Sequence, residues 1–314
     1  MKIFIDCDTG IDDSIALLFA LKRPDIEIVG ITTSCGNTTA RQAAENTLRI
    51  IKLSGFSGHI PVAAGAEKPL VGEYDGPVVD VHGDNGIGNM ELPETDQKPE
   101  EEDAADMIIR MVHENPHELT LVTLGRMTNI ALALEKDPEL PKLVKNMVAM
   151  GGSVYACGNV TPVCEANIAG DPEAADKVLL AGFDLTMVGL DVTTKVCLSS
   201  DYIEKLKKYC AEGNEAIVRY ISGALDYYYG YYRSCSDYLE HSPLHDPLAM
   251  LVTVDPSLVT MQKRRARVEC GGTMCRGMIV TDMREHPMDA PFTTFCFDVD
   301  GRRAIEELFS VFTA

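Results

Sequence analysis

Apolar positions along the chain fall into two alternating patterns. Residues 2–6 form a short apolar run that ends in carboxylates, and residues 12–21 follow with helical spacing. Asp25 leads into a second run at 26–33, rich in Ile and Val, and 38–53 reads as a helix with polar starters and a stop at Gly55. Further strands are predicted at 119–124, 146–150 and 185–190. Helices are predicted at 128–135, 172–181, 201–211 and 214–232. This alternation predicts an α/β fold with an open, mostly parallel sheet flanked by helices. After Pro256 the pattern changes: 267–270 and 278–281 look like short strands and 302–312 like a closing helix. The charged stretch 94–103 reads as a solvated loop or helix entry. Neither a repeat nor a low-complexity linker interrupts the chain, so a single domain over 1–314 is expected.

Composition narrows the class. The 314 residues carry 28 Lys and Arg against 48 Asp and Glu, a formal charge of −20. That balance disfavours nucleic acid as a partner, because phosphate contacts need clustered cations, and it disfavours anionic membranes. No uncharged apolar run approaches the ~18 residues that a bilayer span needs. Asp6 falls where a secretory leader needs an apolar core. Ten cysteines without regular spacing read as free thiols of a cytoplasmic protein.

In an open α/β sheet, ligands bind beyond the carboxyl ends of the strands. The first predicted strand is followed by Asp6, Asp8, Asp12 and Asp13, and the second by Asn37. The strand ending at Leu124 is followed by Gly125, Thr128 and Asn129. The strand ending at Met150 leads to Asn159, Glu165 and Asn167, and Leu190 is followed by Asp191. Four carboxylates within DCDTGIDD can cap the next helix, or they can hold a hard cation that offsets their mutual repulsion. His245-Asp246-Pro247 precedes an apolar helical stretch. Asp246 can cap that helix, and a helix start facing the pocket would also aim His245 and Asp246 at a ligand. Asn159, Glu165 and Asn167 can bind hydroxyl groups or tie down their own loop. Tyr227–Tyr232, with Tyr238 nearby, is either a packed helix or subunit contact, or an aromatic wall for a planar heterocycle. No phosphate loop, dinucleotide fingerprint, HExxH or GxSxG is present.

Six blocks, in order, resemble the inosine-uridine-preferring nucleoside hydrolase family. IDCDTGIDDSIALLFAL is similar to its N-terminal signature, and TSCGNTTARQAAENTL to its second block. HGDNGIG resembles its glycine-rich loop, and LVTLGRMTNIALAL its GPLTN block. MGGSVYACGNVTPVCEANIAGDPEAA resembles its sugar-binding segment, and PLHDPLAM its late His-Asp motif. The blocks span residues 3 to about 254.

The resemblance implies a Rossmann-like nucleoside hydrolase fold and a Ca2+-dependent enzyme that releases ribose and free base from inosine- or uridine-type nucleosides. It implies Asp8, Asp13, Asp246 and the Leu124 carbonyl as Ca2+ ligands, with Asp8 also the general base. Asp12, Asn37, Asn159, Glu165 and Asn167 would hold the ribose hydroxyls, and Met150 would flank the sugar. His245 would assist the leaving base, with His82 and a tyrosine, Tyr228 or Tyr231, nearby. Family members are commonly homodimers or homotetramers. Three positions depart from the pattern: Thr9 stands where the family has Pro, Leu124 where it has Thr, and GRMTN puts Arg126 beside the implied carbonyl ligand. Two other readings compete. One is a nucleoside- or sugar-binding protein without turnover. The other is a phosphatase of the haloacid dehalogenase type using Asp6 and Asp8.

Overall fold

The structure, a computed structural model, describes residues 1–235 and 241–313, so Tyr238 lies outside the described residues. Six strands come first: β1 (Lys2–Cys7), β2 (Glu27–Thr33), β3 (Val62–Ala64), β4 (Leu119–Thr123), β5 (Asn146–Met150) and β6 (Leu185–Val188). Strands β7 (Cys197–Ser199) and β8 (His241–Pro243) pair as a separate antiparallel ribbon. Strands β9 (Val259–Val268), β10 (Ile279–Asp282) and β11 (Phe292–Val299) follow. The main sheet has the order β10-β9-β11-β6-β5-β4-β1-β2-β3. From β3 across to β11 every pairing is parallel, and β9 and β10 add an antiparallel edge.

Helices cover both faces of the parallel part of this sheet, which explains why β1, β4 and β5 are buried and largely apolar. Ile3 and Ile5 of β1 pack into one core while Phe4, between them, packs into the other. Helix Ala40–Ser54 ends where expected, at Gly55 in the left-handed conformation (φ 78°). The order β3-β2-β1-β4-β5-β6 reverses its direction between β1 and β4, and such a reversal opens a crevice at the carboxyl ends. There the Leu124 N–H donates to the Asp6 carbonyl at 2.8 Å, so the segments leaving the two strands run side by side.

The C-terminal third differs from the sequence expectation. The predicted strand at 267–270 is the end of the much longer β9, and β11 has no counterpart in the sequence reading. Residues 260–263 of β9 are exposed at the margin of the sheet, so the run TMQKRRAR carries no apolar alternation to mark it as a strand. The stretch 94–103 is the expected loop and helix entry. Its Asp103 accepts from the N–H groups of Ala105 and Asp106 and caps helix Ala104–Glu114. No helix among the described residues is long and apolar enough to cross a membrane.

Candidate active site

The crevice is built from the segments that leave β1, β2, β4, β5 and β6. Helix Ile11–Lys22 begins right after β1 and buries Asp12 and Asp13 in its first turn. Helix Asp246–Val254 starts at the same place from the other end of the chain, with His245 just before it. Asp12, Asp13 and Asp246 each bring one carboxylate oxygen to a common point, all within 4.8 Å of one another, and all three are buried. Asp13 also caps its own helix: Oδ2 accepts from the Gly10 N–H at 2.8 Å and Oδ1 from the Asp8 N–H at 3.2 Å. The capping reading is therefore realised for Asp13, which also faces Asp12 and Asp246. Asp246 sits at the first helical position, and the residue before it makes no side-chain cap.

Asp8 stands beside this trio, held by Asn37. Its Oδ2 accepts the Asn37 N–H at 2.8 Å and its Oδ1 the Asn37 Nδ2 at 3.3 Å. The same Nδ2 donates to Asp13 Oδ2 at 3.0 Å, so Asn37 bridges the two carboxylates. Two glycines make room for Asp8. A Cβ on Gly36 would fall 1.8 Å from its Oδ2, and one on Gly125 2.8 Å from its Oδ1.

The electrostatics are those of anions crowded out of water. Burial, and after it the neighbouring Asp13, pushes Asp12 up to about 8. Asp8 and Asp246 are raised well above the usual carboxylate range, first by burial and then by the other carboxylates, while Arg126 pulls Asp8 back. Asp12 Oδ1 is buried without a hydrogen-bond partner. A buried, crowded, incompletely satisfied set of hard oxygens is a donor set that suits Ca2+.

The expected sugar residues meet the same crevice. Asn167 Nδ2 donates to the Leu124 carbonyl at 2.6 Å and to the Met150 carbonyl at 3.2 Å. Glu165 is buried and caps helix Ala166–Gly170, accepting from Asn167 and Ile168, and its Oε2 also accepts the Gly152 N–H at 2.9 Å. Burial raises its pKa, against the pull of these backbone donors. Asn159 is exposed, and its Oδ1 accepts the Ala166 N–H at 3.0 Å. The loop-tying reading is thus realised for Asn159 and Glu165.

Two neutral histidines close the far side. His82 Nδ1 accepts the Ile11 N–H at 3.1 Å, which leaves the proton of the neutral ring on Nε2. Burial, and then His245, holds His82 down to about 3, and burial alone holds His245 down to about 4. Near neutral pH both act as hydrogen-bonding imidazoles rather than as stored protons. His245 lies between Thr193 Oγ1 at its Nδ1 (2.9 Å) and the Tyr232 hydroxyl at its Nε2 (3.4 Å).

The tyrosine cluster divides its work along helix Glu215–Cys235. Tyr229 is core. Tyr228 is buried, with its ring 5.8 Å from that of His82 and 5.0 Å, edge-on, from that of Tyr232. Tyr231 touches the site through the Tyr232 ring, at 5.5 Å. Tyr232 and Thr193 were not among the expected site residues. Tyr232 was findable, since it lies four residues after Tyr228 and so on the same helix face. Asp6 is buried beneath the site, and its Oδ1 accepts from Thr32 Oγ1 (2.6 Å) and Asn129 Nδ2 (2.7 Å), while its Oδ2 has no partner.

Comparison with known proteins identifies the family. Residues 3–306 match the family model described as inosine-uridine preferring nucleoside hydrolase. The chain is 40% identical over 281 residues to uridine nucleosidase 1 of Arabidopsis thaliana, covering 90% of this chain and 82% of that one. It is 38% identical over 286 residues to the inosine-uridine preferring nucleoside hydrolase of Crithidia fasciculata, covering 90% and 88%. The structure of the purine-preferring ribonucleoside hydrolase from Gardnerella vaginalis superposes with a TM-score of 0.93 at 34% identity, covering 100% of this chain and 98% of that one. The chain belongs to the inosine-uridine preferring nucleoside hydrolase family and is a nucleoside hydrolase.

Proposed function

We propose that the chain hydrolyses the N-glycosidic bond of inosine- or uridine-type ribonucleosides in a Ca2+-dependent reaction. The observation that carries this is the convergence of Asp12, Asp13 and Asp246, with a buried oxygen of Asp12 left unpartnered. Asp8, Asp13, Asp246 and the Leu124 carbonyl would hold the ion. Asp12 shares the same point, which suits a carboxylate that binds a ribose hydroxyl beside the cation. A bound Ca2+ supplies positive charge that orients water and sugar hydroxyls and eases loss of a proton from that water.

Asp8 would accept a proton from the water that bonds to the anomeric carbon as the base leaves, and its grip by Asn37 aims it. Asn37, Asn159, Glu165 and Asn167 fix the ribose, with Met150 against it. As the bond to the base lengthens, the ribose gains oxocarbenium character, and the surrounding carboxylates stabilise that charge. The departing base is a poor leaving group. His245 and Tyr232 offer it a hydrogen bond, and His82 and Tyr228 line the same side. A neutral nucleoside suits this acidic crevice better than a nucleotide.

Reducing-sugar release from inosine, uridine, cytidine, adenosine and guanosine, with and without a chelator, tests the reading. Release that the chelator abolishes and Ca2+ restores is expected. Release indifferent to the chelator would remove the ion from the scheme.

A further inference from the structure

The four-residue helix Leu190–Thr193, just after β6, sends its two polar side chains to different partners. Thr193 meets His245. Asp191 meets three successive backbone N–H groups. Its Oδ2 accepts from Val154 at 2.7 Å, and its Oδ1 accepts from Tyr155 at 2.7 Å and from Ala156 at 3.0 Å. A carboxylate that collects three consecutive amides fixes the backbone between them, and charge-assisted bonds of this kind are stronger than neutral ones.

This clasp stands at the root of a longer segment. Residues 151–167 leave β5 and carry Asn159, Glu165 and Asn167. Asp191 holds the outgoing limb at 154–156. The returning limb is closed by Glu165, which accepts from Gly152, Asn167 and Ile168. The root is packed as well as bonded. The Leu190 N–H donates to the Gly152 carbonyl at 2.9 Å, and a Cβ on Gly189 would fall 2.5 Å from that same oxygen. The Tyr155 ring lies 5.2 Å from that of Phe297.

We propose that Asp191 is a positioning residue for the sugar subsite. It holds the 154–156 limb so that Asn159 and Glu165 stand where a ribose meets them, and it touches neither the sugar nor the bond that breaks. The proposal rests on the reading of Asn159 and Glu165 as ribose-binding residues.

The test compares Asp191→Asn, which keeps one acceptor oxygen, with Asp191→Ala, which keeps none. KM for the best nucleoside of the panel rises in both, about tenfold or more in the alanine variant and less in the asparagine variant, while kcat changes little. Inhibition by free ribose weakens in step with KM, whereas inhibition by the released base does not change. Equal weakening of ribose and base, or KM unchanged in both variants, overturns the proposal. Asn159→Ala and Glu165→Gln tell the two readings apart. If these also leave ribose inhibition intact, the sugar-site reading is what fails. If they weaken it and the Asp191 variants do not, the role of Asp191 fails alone. Should Asp191→Ala not fold, amide hydrogen exchange in the unsubstituted enzyme decides. The amides of 154–156 should exchange much more slowly than those of neighbouring exposed residues, and equally fast exchange overturns the clasp.

Discussion

The hydroxyl of Thr193 lies 2.9 Å from Nδ1 of the buried His245, although 52 residues separate the two. A side chain at Nδ1 sets both the orientation of the imidazole and which nitrogen carries its proton. On the opposite nitrogen stands Tyr232, so the ring is held along one line, between a hydroxyl from the sheet side and a phenol from helix Glu215–Cys235.

Thr193→Val keeps the shape of the side chain and removes that hydroxyl. The expected loss in kcat is about tenfold, the cost of one buried hydrogen bond, with Ca2+ affinity by calorimetry unchanged. Tyr232→Phe should act in the same direction. Unaltered turnover in both variants would take the orientation of His245 out of the mechanism.

Asp246→Asn separates the stability of the site from its metal chemistry. Asp246 is strained by burial and then by Asp12, Asp13 and Asp8, so neutralising it should raise the melting temperature of the metal-free protein by about a few degrees. The same change should abolish the further rise that CaCl2 gives the unsubstituted protein. Thermal scans with and without CaCl2 read both effects. A variant that still gains as much from Ca2+ would show that Asp246 is not a ligand.

Gly36→Ala should cost more than about a hundredfold in kcat, because its Cβ would fall 1.8 Å from Asp8 Oδ2 and the carboxylate must move away. Gly125→Ala, at 2.8 Å from Oδ1, should cost less. Gly230→Ala is the control: it lies in helix Glu215–Cys235 with nothing within 4 Å of the added carbon, and it should stabilise by about 0.5–1 kcal/mol with activity retained. Activity in Gly36→Ala equal to that of the control would mean that Asp8 need not sit where it does.

Stability of the metal-free protein should fall as pH rises from about 6.5 to 8. Asp12 is raised in the fold to about 8 and Asp6 to about 7, both chiefly by burial, so each adds stability that is complete below the ordinary carboxylate value and is lost as pH rises through the folded value. The histidines work the other way, with folded values of about 3 and 4. Their contribution is complete above about 6.5 and is lost only on acidification, so they are silent in this window. Melting curves between pH 6.5 and 8 should slope downward without Ca2+ and less steeply with it, the part due to Asp6 remaining. A metal-free curve that rises across the window would contradict the burial of ionised carboxylates.

Much of the fold was legible because its strands are short, apolar and separated by helical spacing. β5 runs over the predicted residues 146–150, and β1, β2, β4 and β6 lie within a few residues of their predicted positions. The antiparallel edge was not legible. In β9 the neighbours that make it a strand are β10 and β11, while its own residues 260–263 face water.

The sequence by itself determined which polar residues gather beyond the strand ends, because strands that run parallel deliver whatever follows them to one rim. It also carried the family blocks, from DCDTGIDD to PLHDPLAM. Only the tertiary structure decided how these residues divide. Asp12, Asp13 and Asp246 share one point while Asn37 bridges Asp8 to Asp13 beside it, and Asp191 clasps a loop while Thr193, two residues on, steadies His245. The physical reason is range. Periodicity and capping act over a few residues, whereas these contacts join segments tens to hundreds of residues apart, and burial in a common crevice sets their distances and charges.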